Sequence, residues 1–176
     1  MVIYGREGIQ TRGEAYALLA RAVREHWRLD DLPEMARGEH GKPFFPGYPQ
    51  CRFNLSHSGG FALCALSGRE VGADIQQIRL HRPEFTQQVC SSEELDWLDG
   101  GDFWTRFALL WSMKEAAVKY TGRGLVRPIS AIRVPLPREG ERLLEWEGLW
   151  FGLYAGPGWR GVVCGEELPP EHIYWE

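Results

Sequence analysis

A glutamate on the apolar face of a predicted helix is the strongest chemical signal in this sequence. The helix is predicted from about Phe103 to Tyr120, and one face carries apolar side chains, namely Trp104, Phe107, Ala108, Trp111 and Val118. Glu115 falls in the middle of that face, and Lys119 follows one turn later. A carboxylate among apolar side chains is costly unless a cation or a metal ion meets it. The structural alternative is an exposed Glu–Lys pair worth about 0.2–0.5 kcal/mol, which the apolar face disfavours.

An aspartate in a short predicted strand supplies a second carboxylate. In the run Val71–Gln76, alternation places Asp74 and Gln76 on one face and apolar side chains on the other. Gly72 leaves room for a ligand to approach the backbone. Two oxygen-bearing side chains and a buried glutamate suit a hard cation such as Mg²⁺, which takes one or two carboxylates and completes its coordination with water and phosphate oxygens. The alternative for Asp74 is a turn cap at the strand end.

The segment FNLSHS, residues 53–58, combines hydroxyl groups with an imidazole. Neighbouring residues of a strand point to opposite faces, so Ser56 and His57 do not form the nucleophile–base pair of a hydrolase. At the junction of a strand and a turn, these two side chains suit phosphate binding better. The alternative is a plain turn in which Asn54 and Ser58 bond to the backbone.

Lysine is scarce in this chain. Of 20 lysine and arginine residues only Lys42, Lys114 and Lys119 are lysines. Lysine is a compact point charge that can transfer a proton, which arginine cannot do. Lys42 and Pro43 lie in a segment rich in Gly and Pro, residues 38–50, which predicts a loop.

Glu94 is a further candidate acid. It follows Ser91 by three residues, so the two side chains predict a capping box at the start of a helix. Helix capping alone would account for the presence of Glu94. The sequence therefore leaves a structural role and a chemical role for Glu94 equally open.

The elements that must position these residues follow from periodicity and turn residues. A capping box at Thr11–Glu14 begins a helix of about four turns, whose apolar face is Ala15, Leu18, Leu19, Ala22, Val23 and His26. Strands are predicted at 52–56, 60–67, 71–75, 131–134, 150–154 and 161–164, with a turn at 57–60 between the first two. The helix from Phe103 is stopped by Gly122 and Gly124. Helices and strands are mixed without a βαβ rhythm, which favours an α+β fold.

Composition excludes several classes of protein. With 176 residues and 44% hydrophobic residues the chain can bury a core, and its net charge of −4 without a basic block argues against nucleic acid as a partner. There is no run of 18 apolar residues and no signal-peptide pattern, so we expect a cytoplasmic protein that is not held in a membrane. The four cysteines have no CxxC spacing, which predicts reduced thiols and no zinc site.

Four segments, in order along the chain, resemble the motifs of the Sfp-type 4′-phosphopantetheinyl transferases. They are GKPFFP, FNLSHS, VGADIQ and WSMKEAAVKYTGRGL, and they lie between Gly41 and Leu125, roughly half of the chain. The last motif is highly specific to the family, whereas the GxD pattern within VGADIQ would be weak evidence by itself. All three lysines fall inside these motifs.

The resemblance implies a reaction and its participants. The enzyme would transfer the phosphopantetheine arm of coenzyme A to a serine of an apo acyl or peptidyl carrier protein and release 3′,5′-ADP. Mg²⁺, or Mn²⁺ in its place, is the implied metal. Carrier proteins of fatty-acid, polyketide and nonribosomal peptide synthesis all present such a serine, and the sequence does not choose among them.

The resemblance also implies roles residue by residue. Asp74 and Glu115 would ligate the metal, with Gln76 beside them at the third position. The residues that would hold the nucleotide and its phosphates are Arg12, Lys42, Pro43, Ser56 and His57. Lys114 and Lys119 would neutralise the pyrophosphate, and Lys119 could protonate the departing phosphate. Glu94 matches an acidic residue of the family near the metal, and either Glu94 or Glu115 would be the base for the serine hydroxyl.

This chain departs from the family pattern in two respects. Gln76 stands where many members have a second acidic residue, so we expect weaker Mg²⁺ binding or a water at that position. The N-terminal region is short for a fold built of two similar α+β subdomains, each a helix on an antiparallel sheet, related by pseudo-twofold symmetry. We expect an abbreviated first half at 1–70 and a second half at 71–176 that carries the metal-binding motifs, with coenzyme A between them. One chain carrying both halves favours a monomer.

Two other functions fit part of the pattern. A Mg²⁺-dependent enzyme that cleaves a nucleotide pyrophosphate with water would need no carrier protein. A non-catalytic module that binds coenzyme A or a carrier would not need the full set of acidic and basic residues, which this chain retains.

Overall fold

The chain forms two four-stranded β-sheets, each with one long helix packed against it. The computed structural model describes residues 1–176. The helices are α1 (Arg12–Ala22), extended by a π-helical turn (Val23–Trp27), α2 (Pro83–Val89), α3 (Ser92–Asp99) and α4 (Phe103–Thr121), with a 3₁₀ turn at Ile129–Ala131. The strands are β1 (Val2–Glu7), β2 (Ala36–Arg37), β3 (Pro43–Phe44), β4 (Arg52–Ser58), β5 (Phe61–Ser67), β6 (Val71–Gln77), β7 (Leu143–Trp146), β8 (Leu149–Gly156), β9 (Trp159–Gly165) and β10 (Tyr174–Trp175). The predicted α+β class is confirmed, and no helix has the length and apolarity to cross a lipid bilayer.

The first sheet has the strand order β10-β1-β5-β4, with α1 against it. Helix α1 begins at the predicted capping box, in which the Thr11 hydroxyl accepts from the Glu14 N–H and the Glu14 carboxylate accepts from the Thr11 N–H. Its predicted apolar face is buried at Ala15, Leu18, Leu19, Ala22 and Val23. His26, predicted on the same face, is exposed. It lies in the π-helical turn, where i→i+5 bonding departs from the 3.6-residue period on which the predicted face depends.

The hairpin between β4 and β5 is tighter than the sequence predicted. The predicted turn over 57–60 reduces to Gly59 and Gly60, and Gly59 adopts a φ of 56°, which favours glycine. His57 and Ser58 therefore belong to the strand. Ser56 is buried and His57 is exposed, as expected for neighbours that point to opposite faces.

The second sheet has the order β6-β9-β8-β7, and α4 packs across β6 and β9. The backbones of β6 and α4 touch at Gly72. A Cβ atom there would lie 2.5 Å from the Tyr120 nitrogen and closer still to the Ala116 carbonyl oxygen. Because no side chain fits between them, this contact allows Asp74 on β6 to lie close to the side chains of α4.

The burial of α4 differs from the predicted stripe. Its buried residues are Phe107, Ala108, Leu110, Ser112, Met113, Lys114 and Ala116. Trp104, Trp111, Glu115 and Val118 are only partly buried, so most of the predicted face is not fully covered. Helix α4 is buried on more than one side, whereas the sequence pattern predicted burial of one face only.

The strand predicted at 131–134 is wrong. A 3₁₀ turn at Ile129–Ala131 precedes an extended segment that pairs with no strand, although Ile132 and Val134 are buried. The sequence also missed helix α2 and the strands β1, β2, β3, β7 and β10, and β3 lies within the segment 38–50 that was predicted as a loop.

The two sheets meet where β4 and β6, the terminal strands of their sheets, lie side by side. The Ala73 N–H donates to the Asn54 side-chain oxygen across this junction at 2.9 Å. In each sheet a hairpin follows the long helix, and the second strand of that hairpin pairs with the strand that precedes the helix: β1, α1 and the hairpin β4–β5 in the first sheet, and β6, α4 and the hairpin β8–β9 in the second. The second sheet has β7 as an additional strand between α4 and β8. The chain passes between the sheets through residues 68–70, and β10 returns to the first sheet.

Candidate active site

Asp74 is the centre of a polar cluster built from three elements. It lies on β6 with only 2% of its surface exposed. Its Oδ1 accepts hydrogen bonds from the Ser56 hydroxyl on β4 at 2.7 Å and from the Lys119 ammonium on α4 at 2.5 Å, and its Oδ2 accepts from the Gln76 amide nitrogen at 2.9 Å. The Lys119 ammonium also donates to the Ser56 oxygen at 3.0 Å. The structure thus brings together four of the predicted site residues.

Glu115 adds a second carboxylate beside Asp74. It is half-buried and has no hydrogen bond or ion pair within the chain. Burial raises the pKa of Glu115, the negative charge of Asp74 raises it further, and Lys119 opposes this in part. Two carboxylates and one ammonium leave a net negative charge at the cluster.

The donor set of this cluster fits a hard divalent cation. Mg²⁺ takes one or two protein carboxylates and fills its other positions with water and phosphate oxygens. Asp74 and Glu115 match that requirement, and a cation between them would favour the ionised form of Glu115 against the burial and the Asp74 charge that raise its pKa. The chain has no group of three or more His, Cys, Asp or Glu side chains suited to a metal ion, so phosphate and water would supply the remaining ligands.

The raised pKa of Glu115 predicts a pH-dependent stability difference. In buffer with EDTA, we expect Glu115→Gln and wild type to unfold at similar temperatures below pH 4.5, the ordinary glutamate value. As pH rises through the raised pKa, wild type must ionise a carboxyl that folding prefers protonated, so it loses stability that the variant keeps. Thermal unfolding between pH 4 and 8 measures the difference. The exposed Glu139→Gln serves as control, and equal Tm values at all pH values would contradict the expectation.

Gln76 faces Asp74 with its amide nitrogen. Its oxygen accepts a hydrogen bond from the Ser58 hydroxyl at 3.2 Å, and that hydroxyl accepts from the Gln77 N–H at 3.2 Å. The arrangement places the amide as a donor to Asp74 and directs its oxygen toward Ser58. Gln76 thus supports the Asp74 carboxylate in this structure.

A cleft of about 400 Å³ opens beside the cluster. Its lining residues are Arg12, Tyr16, Arg37, Pro43, Phe53, Leu55, Ser56, His57 and Lys119. Two arginines and a lysine give it three positive charges, and no Asp or Glu lines it. In a chain of net charge −4 this is a local concentration of positive charge, suited to a ligand with several negative charges.

Five predicted residues line this cleft, and the sequence missed four others, Tyr16, Arg37, Phe53 and Leu55. Tyr16 follows Arg12 by one helical turn, and the guanidinium lies 5.7 Å from the centre of its ring; that spacing was a signal available in the sequence. Arg37 lies on β2 and donates to the Gly41 carbonyl at 3.0 Å. Its place in the cleft depends on how the following loop folds back, which the sequence pattern does not specify.

Lys42 is not among the residues that line this cleft. It lines a smaller pocket of about 190 Å³ that shares Pro43 and Phe53 with the cleft. Its ammonium donates to Glu70 at 2.7 Å and to the carbonyls of Val71 and Tyr120, each at 3.1 Å.

Lys114 and Glu94 form a buried ion pair away from the Asp74 cluster. Their side chains are 0% and 3% exposed, and the Lys114 ammonium donates to Glu94 at 2.7 Å. It also donates to the carbonyls of Val89 at 2.8 Å and Ile129 at 3.2 Å. Glu94 completes the predicted capping box by accepting from the Ser91 N–H at 2.7 Å. No hydrogen bond or ion pair joins Lys114 or Glu94 to the other predicted site residues.

Residues 70–162 match the family model of the 4′-phosphopantetheinyl transferase superfamily. The chain is 32% identical to the 4′-phosphopantetheinyl transferase Sfp of Bacillus subtilis (strain 168) over 156 residues, which are 84% of this chain and 70% of Sfp. It is 29% identical to the 4′-phosphopantetheinyl transferase ffp of Bacillus subtilis over 159 residues, with the same two shares. It is 37% identical to the 4′-phosphopantetheinyl transferase AcpT of Escherichia coli (strain K12) over 113 residues, 60% of this chain and 56% of AcpT.

The family match covers more than half of the chain and includes β6 and α4, which carry the carboxylate cluster. The chain belongs to the 4′-phosphopantetheinyl transferase superfamily. Within it the chain is of the Sfp type, as the motifs predicted, and its enzyme activity is that of a 4′-phosphopantetheinyl transferase.

Proposed function

We propose that this enzyme transfers the 4′-phosphopantetheine arm of coenzyme A to a serine of an apo acyl or peptidyl carrier protein and releases 3′,5′-ADP. The observation that carries the proposal is the cationic cleft without acidic lining residues that opens beside the paired carboxylates Asp74 and Glu115. The relatives support it, because all those described above are named for transfer of the phosphopantetheinyl group.

Coenzyme A matches this cleft in charge and in the arrangement of its polar and apolar lining residues. Ser56 and Lys119 adjoin Asp74, so the pyrophosphate belongs at their end of the cleft. Arg12 and His57 then hold the 3′-phosphate through charge-assisted hydrogen bonds, with Arg37 as a further cation. The apolar wall of Pro43, Phe53 and Leu55 suits the nucleoside.

Asp74 and Glu115 would hold Mg²⁺, or Mn²⁺ in its place. The ion would act as a Lewis acid that stabilises the charge developing on the pyrophosphate oxygens. Gln76 holds the Asp74 carboxylate in place by donating to its second oxygen. Lys119 contributes a second positive charge at the same end of the cleft.

The reaction is one displacement at the β-phosphorus. The serine oxygen forms a bond to that phosphorus as its bond to the bridging pyrophosphate oxygen breaks, and 3′,5′-ADP leaves. Glu115 accepts the serine proton, directly or through a water molecule. The Glu94 carboxylate already accepts from Lys114 and from the Ser91 N–H, which favours Glu115 for this role. Lys119 donates a proton to the departing phosphate.

The proposal also includes the division of the chain into two related halves. The shared pattern, in which the hairpin after each long helix pairs with the strand before it, supports two halves, 1–70 and 71–176, related by pseudo-twofold symmetry. Ser56 from the first half and Asp74 from the second then complete one site in one chain, which supports a monomer.

Intact-mass spectrometry of an apo carrier protein tests the proposal. With enzyme, coenzyme A and Mg²⁺, we expect the carrier to gain the mass of one phosphopantetheinyl group and 3′,5′-ADP to appear in equal amount, with both suppressed by EDTA. Release of 3′,5′-ADP with an unmodified carrier would indicate hydrolysis instead. Binding of coenzyme A with neither product would indicate a binding module.

A further inference from the structure

The ammonium of Lys42 is fully engaged within the protein. A lysine ammonium has three hydrogens to donate. Lys42 directs them to the Glu70 carboxylate at 2.7 Å and to the carbonyls of Val71 and Tyr120 at 3.1 Å each. Its side chain is 17% exposed, and no donor remains for a phosphate.

These acceptors join the two elements that carry the carboxylate cluster. Val71 is the first residue of β6, three residues before Asp74, and Tyr120 lies in the last turn of α4, next to Lys119. A cation at the C-terminal end of a helix satisfies free carbonyls and complements the helix dipole. Lys42 itself belongs to the loop that leads into β3, so it ties that loop to both elements.

Glu70 holds Lys42 in this position. Its Oε2 accepts from Lys42, and its Oε1 lies 3.2 Å from the Arg52 guanidinium on β4. Lys42 packs close to the end of α4, because a Cβ atom on Gly122 would lie 3.1 Å from its Cδ. Contacts at the stem and at the charged end therefore fix one orientation of the side chain.

We propose that Lys42 is a positioning residue that fixes the end of α4 against the start of β6. It thereby sets the distance between Asp74 and the Glu115 and Lys119 side chains. The inference rests on the proposed function, since it assigns Lys42 to the geometry of that transfer site and removes it from the nucleotide ligands. This assignment agrees with the cleft, because Lys42 is not among the residues that line it.

Lys42→Met tests the assignment, because methionine keeps the length of the stem and removes the charge. We expect kcat for carrier modification to fall about tenfold to a hundredfold, the usual cost of misplaced catalytic groups, and Tm to fall by about 2–8 °C. The dissociation constant for 3′,5′-ADP, measured by calorimetry in EDTA, stays within about threefold of wild type. A weakening of 3′,5′-ADP binding by about tenfold or more would overturn the proposal and make Lys42 a nucleotide ligand.

Glu70→Gln provides a second test that keeps Lys42 in place. A positioning role predicts a lower Tm, a lower kcat and unchanged affinity for 3′,5′-ADP. If Lys42 binds the nucleotide, removal of its competing carboxylate frees it, so 3′,5′-ADP would bind more tightly and the proposal would fail.

Arg12→Ala separates this inference from the proposed function. Arg12 lines the cleft, so its loss should weaken 3′,5′-ADP binding whatever Lys42 does. If wild type does not bind 3′,5′-ADP, or Arg12→Ala binds it equally well, the proposed function itself fails. If Arg12→Ala weakens binding and both Lys42→Met and Glu70→Gln leave it unchanged with reduced kcat, the positioning role is supported.

Discussion

Replacement of Glu94 by alanine is expected to lower the free energy of unfolding by about 3–5 kcal/mol. The variant leaves the Lys114 ammonium, which is 0% exposed, without its counter-charge. Two backbone carbonyls remain as its acceptors, but they do not neutralise a buried cation. Urea denaturation followed by tryptophan fluorescence measures the loss, and the eight tryptophans provide the signal.

A double variant is the matched control for this prediction. Glu94→Leu combined with Lys114→Met removes both charges and keeps apolar volume, so we expect it to recover at least about half of the loss. Each single change should be worse than the pair. If Glu94→Ala unfolds within about 1 kcal/mol of wild type, the pair does not carry the buried charge described here.

Gly72→Ala is expected to lower stability by about 1–3 kcal/mol or more and to slow transfer further than the stability loss explains. The new Cβ would lie 2.5 Å from the Tyr120 nitrogen and closer to the Ala116 carbonyl oxygen. Both are backbone atoms, so relief requires α4 to move away from β6. That movement separates Glu115 from Asp74.

Gly47→Ala is the control for the glycine substitution. Nothing lies within 4 Å of a Cβ built at Gly47, and neither glycine has a positive φ, so the comparison isolates the close approach of backbone. Thermal unfolding and the rate of carrier modification are measured for both variants. Equal Tm values and equal rates for Gly72→Ala and Gly47→Ala would show that β6 and α4 do not touch as described.

Local patterns carried much of the correct sequence reasoning. The capping boxes at Thr11 and Ser91 place the starts of two helices, since a cap involves residues only three apart. Strand alternation placed Asp74 and Gln76 on one face, because side-chain direction in a strand has a period of two. The carboxylate cluster follows from these local rules together with the motif resemblance.

The surroundings of several predicted site residues depend on partners that are distant in sequence, and the sequence did not predict those partners. Lys42 and Lys114 have the residue type of phosphate ligands, yet their ammonium groups bond to Glu70 and Glu94 and to backbone carbonyls distant in sequence. No local pattern distinguishes a lysine that binds a ligand from one that bonds within the fold. The same holds for Arg37, which reaches the cleft through the path of a loop.

Strand predictions failed where pairing decides the structure. Residues 131–134 have an apolar pattern typical of a strand, but no neighbour pairs with them, so the segment stays extended outside a sheet. Conversely, β10 has only two residues and exists because β1 lies beside it.

The rate of carrier modification by Asp74→Asn, followed by intact-mass spectrometry, tests the placement of the transfer site. Asparagine keeps the shape of the side chain and removes the charge that the proposed Mg²⁺ requires. The exposed Asp96→Asn is the control. We predict that Asp74→Asn lowers the rate by about a hundredfold to a thousandfold or more, while it stays folded and Asp96→Asn keeps the wild-type rate. A folded Asp74→Asn variant that modifies the carrier as fast as wild type would contradict the placement of the reaction at Asp74 and Glu115.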